Sequence, residues 1–308
     1  MKKSIIAIAV SSAALASVSV QAAEGSTVDI YGNIQYAYSD TDAGDDFADN
    51  GSTIGLKGET KINDDLTAFF KYELEFDADD KGTGGSSSLD QAFVGLQGNF
   101  GKVQVGSFDT IYNNAVQDSV DQFELLGVTN AGDTSEGDTI AYFSPSFNGF
   151  EVQLATQIKG DKNDENEGKD SDDEFVEDGT STMAVVKYSM DMMSVALGYD
   201  NRENTTDEKE TFGLAVTVMP ADNLSVTAKY ETTNDTQDIY GLAARYGYGA
   251  GDVYASFQNV DPDGSDDYNE SAVGVTYSLA SNVYVYGEIG ELTETTDTQT
   301  AVGVYYGF

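Results

Sequence analysis

Along most of this chain, apolar and polar side chains alternate with a period of two, the mark of a strand with two different faces. The first such segment sets Val28, Ile30, Ile34, Tyr36 and Tyr38 against Asp29, Asn33, Gln35 and Ser39. A second sets Ile54, Leu56 and Ile62 against Thr53, Lys57, Glu59 and Lys61. A third follows the tight turn Asn63-Asp64-Asp65: Leu66, Ala68, Phe70, Tyr72, Leu74 and Phe76 oppose Thr67, Lys71, Glu73 and Glu75. The same grammar recurs downstream, as in Val152 and Leu154 against Glu151 and Gln153, or Thr182, Ala184 and Val186 against Ser181 and Lys187. In 91–96 and 253–257 the two faces are similarly apolar, and the pattern does not fix which one points inward. The last strand sets Thr300, Val302, Val304, Tyr306 and Phe308 against Ala301, Gly303 and Tyr305, then stops on that aromatic. Counted this way, the chain after residue 22 holds about sixteen strands, each near the ~9–11 residues that cross a bilayer.

Connector lengths also alternate. Residues 63–65, 144–149, 190–193, 220–223, 249–251 and 280–282 are short turns, whereas 40–50, 77–88, 160–179, 201–209, 261–267 and 291–298 are longer and acidic. Short turns at one end and long loops at the other predict a transmembrane, antiparallel, up-and-down β-barrel, all-β in class, wide enough for an aqueous channel. An even strand count puts both termini on the short-turn side, the periplasm. The loop 160–179 is so densely acidic that it is expected to be exposed and mobile. A soluble β-sandwich or β-helix adhesin also alternates, but it has no reason to end on an aromatic or to alternate its loop lengths.

The N-terminus predicts export. Met1-Lys2-Lys3 is basic, residues 5–20 are apolar, and Val20-Gln21-Ala22 offers small residues for cleavage before Ala23. The expected organisation is a signal peptide over 1–22 and one barrel domain over 23–308. The leader's apolar core is short for a membrane anchor, and no later segment approaches the ~20 apolar residues of a membrane helix.

Composition narrows the chemistry. There are 3 prolines, which suits uninterrupted ladders, and 19 tyrosines, which suit interfacial girdles. Cysteine and histidine are both absent. No disulfide, His-containing triad or imidazole base can form, which excludes the His-dependent phospholipases, acyltransferases and proteases of outer membranes. The expectation is a protein without enzymatic activity or cofactor. A formal charge of −39 argues against nucleic acid and for cations, either permeant ions or divalent bridges to lipopolysaccharide. The two arginines, Arg202 and Arg245, lie in different strand regions.

Several stretches resemble the general bacterial outer-membrane porins. Val28-Asp29-Ile30-Tyr31-Gly32 is similar to their opening strand. Leu56-Lys57-Gly58-Glu59-Thr60-Lys61-Ile62-Asn63-Asp64-Asp65-Leu66-Thr67 is similar to their second hairpin. Gln91-Ala92-Phe93-Val94-Gly95-Leu96 and Gly101-Lys102-Val103-Gln104-Val105-Gly106 are similar to the strands before the third loop. The terminal Val304, Tyr306 and Phe308 resemble the family's signal to the barrel-assembly machinery. The resemblance implies a homotrimer of sixteen-stranded barrels in the outer membrane of a Gram-negative bacterium. Each barrel would pass small hydrophilic solutes through a constriction made by an inward-folded third external loop.

That loop would span 108–139. Ile111, Ala115 and Val116 have helical spacing, and Asp118, Asp121 and Glu124 recur at i, i+3 and i+6, which predicts a helical turn with Asp118 and Asp121 as neighbours. The resemblance assigns carboxylates of this loop to the constriction. It also implies an opposing cluster of arginine and lysine, but the matching positions are Asn33, Thr53, Asp90 and Ser135, none of them basic. Lys57, Lys61, Lys71 and Lys102 are the inward replacements by parity, interleaved with Glu59 and Glu73. The expected function is passive diffusion with cation preference. A saccharide-specific channel would need a track of lumen aromatics, and Tyr31, Phe69 and Tyr305 are too scattered in sequence to establish one.

Overall fold

The computed structural model describes residues 18–20, 26–41, 44–79, 87–130, 137–158, 180–202, 209–292 and 298–308. The expected cleavage point, Ser135 and the acidic stretch 160–179 lie outside the described residues.

Sixteen antiparallel strands form the wall: β1 (Ser26–Thr41), β2 (Thr53–Asn63), β3 (Leu66–Phe76), β4 (Ser87–Gly98), β5 (Gly101–Ser107), β6 (Thr139–Phe143), β7 (Phe150–Ile158), β8 (Thr180–Met190), β9 (Met193–Asp200), β10 (Thr211–Ala221), β11 (Leu224–Thr233), β12 (Gln237–Gly247), β13 (Asp252–Pro262), β14 (Tyr268–Ala280), β15 (Val283–Glu291) and β16 (Gln299–Gly307). Each pairs with its sequence neighbour, and β16 pairs back onto β1 with Val302 opposite Tyr38 and Gly307 opposite Asn33. The closed ring leaves the wall no free edge. Two short strands, Val18–Val20 and Gly44–Asp49, pair onto β1.

The period-two pattern resolves as the lipid requires, because backbone polar groups are satisfied within the wall and only side chains meet the bilayer. Outward residues such as Leu56, Val94, Leu154, Leu197, Leu242 and Val302 are exposed. Aromatics collect at both rims: Tyr199 with Phe212 and Tyr230 with Tyr240 at the loop end, Phe150 with Tyr188 at the turn end.

The two undecided stretches are now fixed. Val94 and Leu96 face out while Phe93 packs inside on Phe69 and Phe108. Val253 and Phe257 face out while Tyr254, Ser256 and Gln258 are buried inside. The alternation of connector lengths has one exception: β11 and β12 are joined at the loop end by residues 234–236 alone.

Candidate functional site

The inner wall is lined by residues chosen for their small size. Ala141, Ala155, Ala196 and Ala215 of β6, β7, β9 and β10, together with Met183 and Val185 of β8, are buried beneath Phe108, Ile111, Tyr112, Ala115 and Val116. Those five belong to the connector between β5 and β6. Further along, Val120, Leu126 and Val128 of the same connector bury Ala243, Ala272 and Ala301 of β12, β14 and β16. The third loop is therefore folded inside the barrel and runs around its wall. Glycine sets the closeness of the fit. A Cβ on Gly198 would lie 2.7 Å from the Tyr112 ring, one on Gly241 would lie 3.0 Å from Val120, and one on Gly213 would collide with Val116.

Polar anchors hold the loop in place. The Glu288 carboxylate, buried on β15, accepts hydrogen bonds from the backbone N–H groups of Glu124 (2.6 Å), Leu125 (3.2 Å) and Leu126 (3.0 Å), and from Tyr254 Oη (2.8 Å). Successive N–H groups aimed at one anion form a nest. Glu270 of β14 accepts from Thr129 through its N–H and Oγ1 at 3.0 and 2.6 Å, and from Gln258 at 2.7 Å. Lys229 of β11, ion-paired with Glu231 at 3.3 Å, donates to the Gln117 carbonyl and to Asn130 Oδ1, both at 3.2 Å. Arg245 stacks over Tyr254, pairs with Asp252 at 3.3 Å and donates to the Gln122 carbonyl.

Within this framework Asp118 and Asp121 come near each other and Glu124 lies at Tyr284 of β15, but the three do not share an α-helix. The helical turn predicted at Ile111, Ala115 and Val116 forms, with Val116 N–H donating to the Tyr112 carbonyl at 2.9 Å, and a short 3₁₀ turn covers Gln117–Ser119. Asp121 and Glu124 lie beyond it in irregular chain. Wall contacts override the local i, i+3 spacing because Glu288 pulls the next peptide groups into its nest. Asp118 opens onto the lumen and accepts from Asn113 Nδ2 at 2.9 Å. Confinement within the channel first, then the nearby carboxylates Asp121 and Asp109, push its carboxyl up to about 6. Burial likewise raises Asp121, against backbone hydrogen bonds from Phe123 and Val128 that hold it down. Burial raises Glu124 too, opposed by the hydrogen bond from Tyr284 Oη at 2.7 Å.

Of the lysines on the remaining wall, Lys57 and Lys71 stand opposite each other on β2 and β3 and share the Tyr31 ring. Lys57 lies 5.0 Å from the centre of the Tyr31 ring, beside an exposed Glu59. Lys61 pairs with Asp64 at 2.9 Å near the turn end. Lys71 pairs with Glu73 at 2.8 Å and donates to Gln91 at 3.0 Å. Lys102 sits 3.8 Å above the Phe143 ring. Phe308 closes the seam: its N–H donates to the Gly32 carbonyl at 2.9 Å, and Gly32 N–H donates back at 3.1 Å. Val304 and Tyr306 point to lipid.

Sequence reasoning missed the anchors Glu288, Glu270, Lys229, Arg245 and Gln258. The available signal was the inward face of β9, β10 and β12, where Ala and Gly stand in place of polar residues and leave room for a second layer.

A closed sixteen-stranded wall with a lipid-facing band and a loop folded into its bore defines a transmembrane barrel with a narrowed interior. Residues 4–298 match the sequence profile described as Gram-negative porin. Over an alignment of 374 residues covering all of both chains, the protein is 34% identical to a monosaccharide porin from a Halomonas species. It is 30% identical to outer membrane porin F of Xenorhabdus nematophila, across 80% of this chain and 69% of that protein. Among solved structures, OmpF of Salmonella typhi in complex with daunomycin superposes with a TM-score of 0.74 at 20% identity, covering 94% of this chain and all of that one. An anion-selective porin from Comamonas acidovorans superposes with a TM-score of 0.72 at 20% identity, covering 92% and 100%. The chain belongs to the Gram-negative porin family. It is an outer-membrane protein that crosses the bilayer with β-strands.

Proposed function

We propose that the chain forms a water-filled channel for passive diffusion of small hydrophilic solutes and ions, with a preference for cations. The observation that carries this reading is the third loop pinned inside the bore with Asp118, Asp121 and Glu124 on it and no arginine cluster among the described residues opposite. The Debye length is about 8 Å at physiological ionic strength, comparable to a narrowed bore, so these charges stay incompletely screened. Low-dielectric walls focus their field, and rings of carboxylates favour cations by this physics. Fold alone does not decide the sign, since an anion-selective porin shares it. In this reading the protein is a homotrimer with both termini periplasmic. Its lipid surroundings include lipopolysaccharide, and the barrel-assembly machinery reads the end at Phe308.

The test is the reversal potential of the purified protein in a planar bilayer across a potassium chloride gradient. Cation preference is expected, weakening as salt rises and reduced in the double variant Asp121→Asn with Glu124→Gln. Anion preference in the unmodified channel sinks the reading. A saccharide-selective channel is the second reading, favoured by one arrangement. Tyr284 and Tyr305 stack with centroids 4.8 Å apart beside Glu124, and a relative of 34% identity is named for monosaccharides. Saturable block of ion current by a monosaccharide would select it.

A further inference from the structure

We propose that Tyr284, Tyr305 and Glu124 form a stacking subsite for a neutral pyranose sugar, set in a slot of the barrel wall beside the third loop. The inference deepens the second reading above, saccharide selectivity, and rests on it.

The slot begins with the inner face of β16. Its inward residues there are Ala301, Gly303, Tyr305 and Gly307, so one large side chain stands among small ones. The small residues are buried, whereas Tyr305 is half-buried and keeps part of its ring open to the bore. Across the ladder Tyr305 pairs with Tyr284 of β15. The two rings stack, with centroids 4.8 Å apart and planes 14° from parallel. That separation matches the spacing of neighbouring strands, so the rings stand up from the wall as adjacent plates. Tyr284 Oη donates to Glu124 Oε2 at 2.7 Å, and the Glu124 carbonyl accepts from Asn50 Nδ2 at 2.9 Å. The first plate is thereby fixed to the third loop.

Tyr284 covers one face of Tyr305, and the other face looks over β1. That strand carries Tyr31, Asn33 and Gln35 on its inner side, with Gln35 opposite Tyr305. All three lean away from β16. Tyr31 lies across β2, where a Cβ on Gly55 would come 2.5 Å from its ring. Asn33 Nδ2 donates to Thr53 Oγ1 of β2 at 2.8 Å, and Gln35 Nε2 donates to the Gly51 carbonyl at 3.0 Å. The inner side chains of β1 are thus drawn toward β2, and a slot is left beside the free face of Tyr305.

An aromatic plate on one side and a carboxylate close by fit a sugar ring. The face of a tyrosine ring is the negative part of its quadrupole, and it attracts the polarised C–H groups on the flat side of a pyranose. The sugar hydroxyls donate to Glu124, whose carboxylate has lone pairs beyond the one taken by Tyr284. An aromatic surface with a few placed polar groups is the usual make-up of a small-molecule site. The carboxylate repels an anionic solute, and the ring face calls for apolar C–H groups, so the ligand class is a neutral pyranose. A slot open to the bore binds weakly, as passage requires: strong enough to enter and weak enough to leave.

The experiment is single-channel current of the full chain in potassium chloride, with glucose or the open-chain polyol sorbitol titrated in. Each variant is referred to its own sugar-free current. Glucose is expected to reduce the unmodified current saturably. Sorbitol has the hydroxyls without a rigid ring face and should need a much higher concentration. Tyr305→Leu keeps apolar bulk but no flat face, and should raise the half-effective glucose concentration at least about five-fold, equivalent to about 1 kcal/mol. Tyr305→Phe keeps the face and should stay close to the unmodified channel. Glu124→Gln removes the charge of the hydroxyl acceptor and should act in the same direction as Tyr305→Leu. It becomes the decisive variant if the leucine chain fails to assemble. A saturable glucose effect unchanged in both Tyr305→Leu and Glu124→Gln overturns the subsite and leaves saccharide selectivity standing. Equal potency of glucose and sorbitol, or a loss in Tyr305→Phe as large as in Tyr305→Leu, overturns the stacking that defines it. A conducting channel that glucose does not touch overturns both the subsite and the saccharide reading, and leaves passive diffusion in place.

Discussion

Asp118 shows how the channel interior tunes a single side chain. Its carboxyl titrates at about 6 because confinement in the bore and the neighbouring Asp121 and Asp109 disfavour the charged form. The sign follows directly. Above 6 the group is ionised and contributes negative potential to the bore; as pH falls through 6 it takes up a proton and that contribution disappears. Asp121 and Glu124 are shifted in the same direction. Cation preference should therefore decline between pH 7 and pH 5, read as a shrinking reversal potential at fixed salt gradient. Asp118→Asn keeps an oxygen for the Asn113 contact and should flatten that decline. A reversal potential constant across this range would show that Asp118 does not face the permeation path. The residue itself was legible in the sequence as one of three spaced acids. Its environment was not, since confinement comes from wall residues far away in the chain.

At the scale of the element, the third loop is held by wall groups that sequence reasoning did not single out. Glu288 and Glu270 look like any lumen acid until the loop's N–H groups are seen to converge on them. The helical prediction for Asp118, Asp121 and Glu124 failed for the same reason: the spacing was right, but the nest at Glu288 claimed the peptide groups a helix would have needed. The strands were legible because lipid on one side and water on the other impose an alternation no packing partner can override. The exceptions mark local irregularities, the bulge at Asp90 above all. Glu288→Gln keeps the size of the latch, removes its charge and turns one acceptor oxygen into an NH2 donor, so two of the four hydrogen bonds are lost and the other two are weakened. Hydrogen bonds to charged groups contribute about 1.5–3 kcal/mol each, so loss of even part of the set should let the loop leave the wall for part of the time. The expected result is a noisier and larger single-channel current with an unchanged thermal transition of the barrel. A quiet current of ordinary size would mean that the apolar contacts of Val116, Val120 and Leu126 suffice.

The whole molecule is a ring, and Phe308 sits where the ring closes. Its backbone exchanges two hydrogen bonds with Gly32, at 2.9 and 3.1 Å, and a Cβ on Gly32 would lie 2.8 Å from its ring. The side chain is half-buried, short of the roughly 1.5–3 kcal/mol of a fully buried phenylalanine. The two backbone bonds contribute about 1 kcal/mol each. β16 remains paired to β1 along eight residue pairs from Thr300 to Gly307 without it. Deleting Phe308 therefore removes a few kcal/mol from a seam that still closes. If the terminal aromatic also serves as the address for the assembly machinery, the deletion should lower the amount of inserted protein far more than it changes each inserted channel. Comparing membrane-inserted yield in cells with single-channel conductance after refolding in detergent separates the two effects. Normal yield with a weakened seam, detected as a lower thermal transition in the refolded protein, would make Phe308 a structural closure and nothing more.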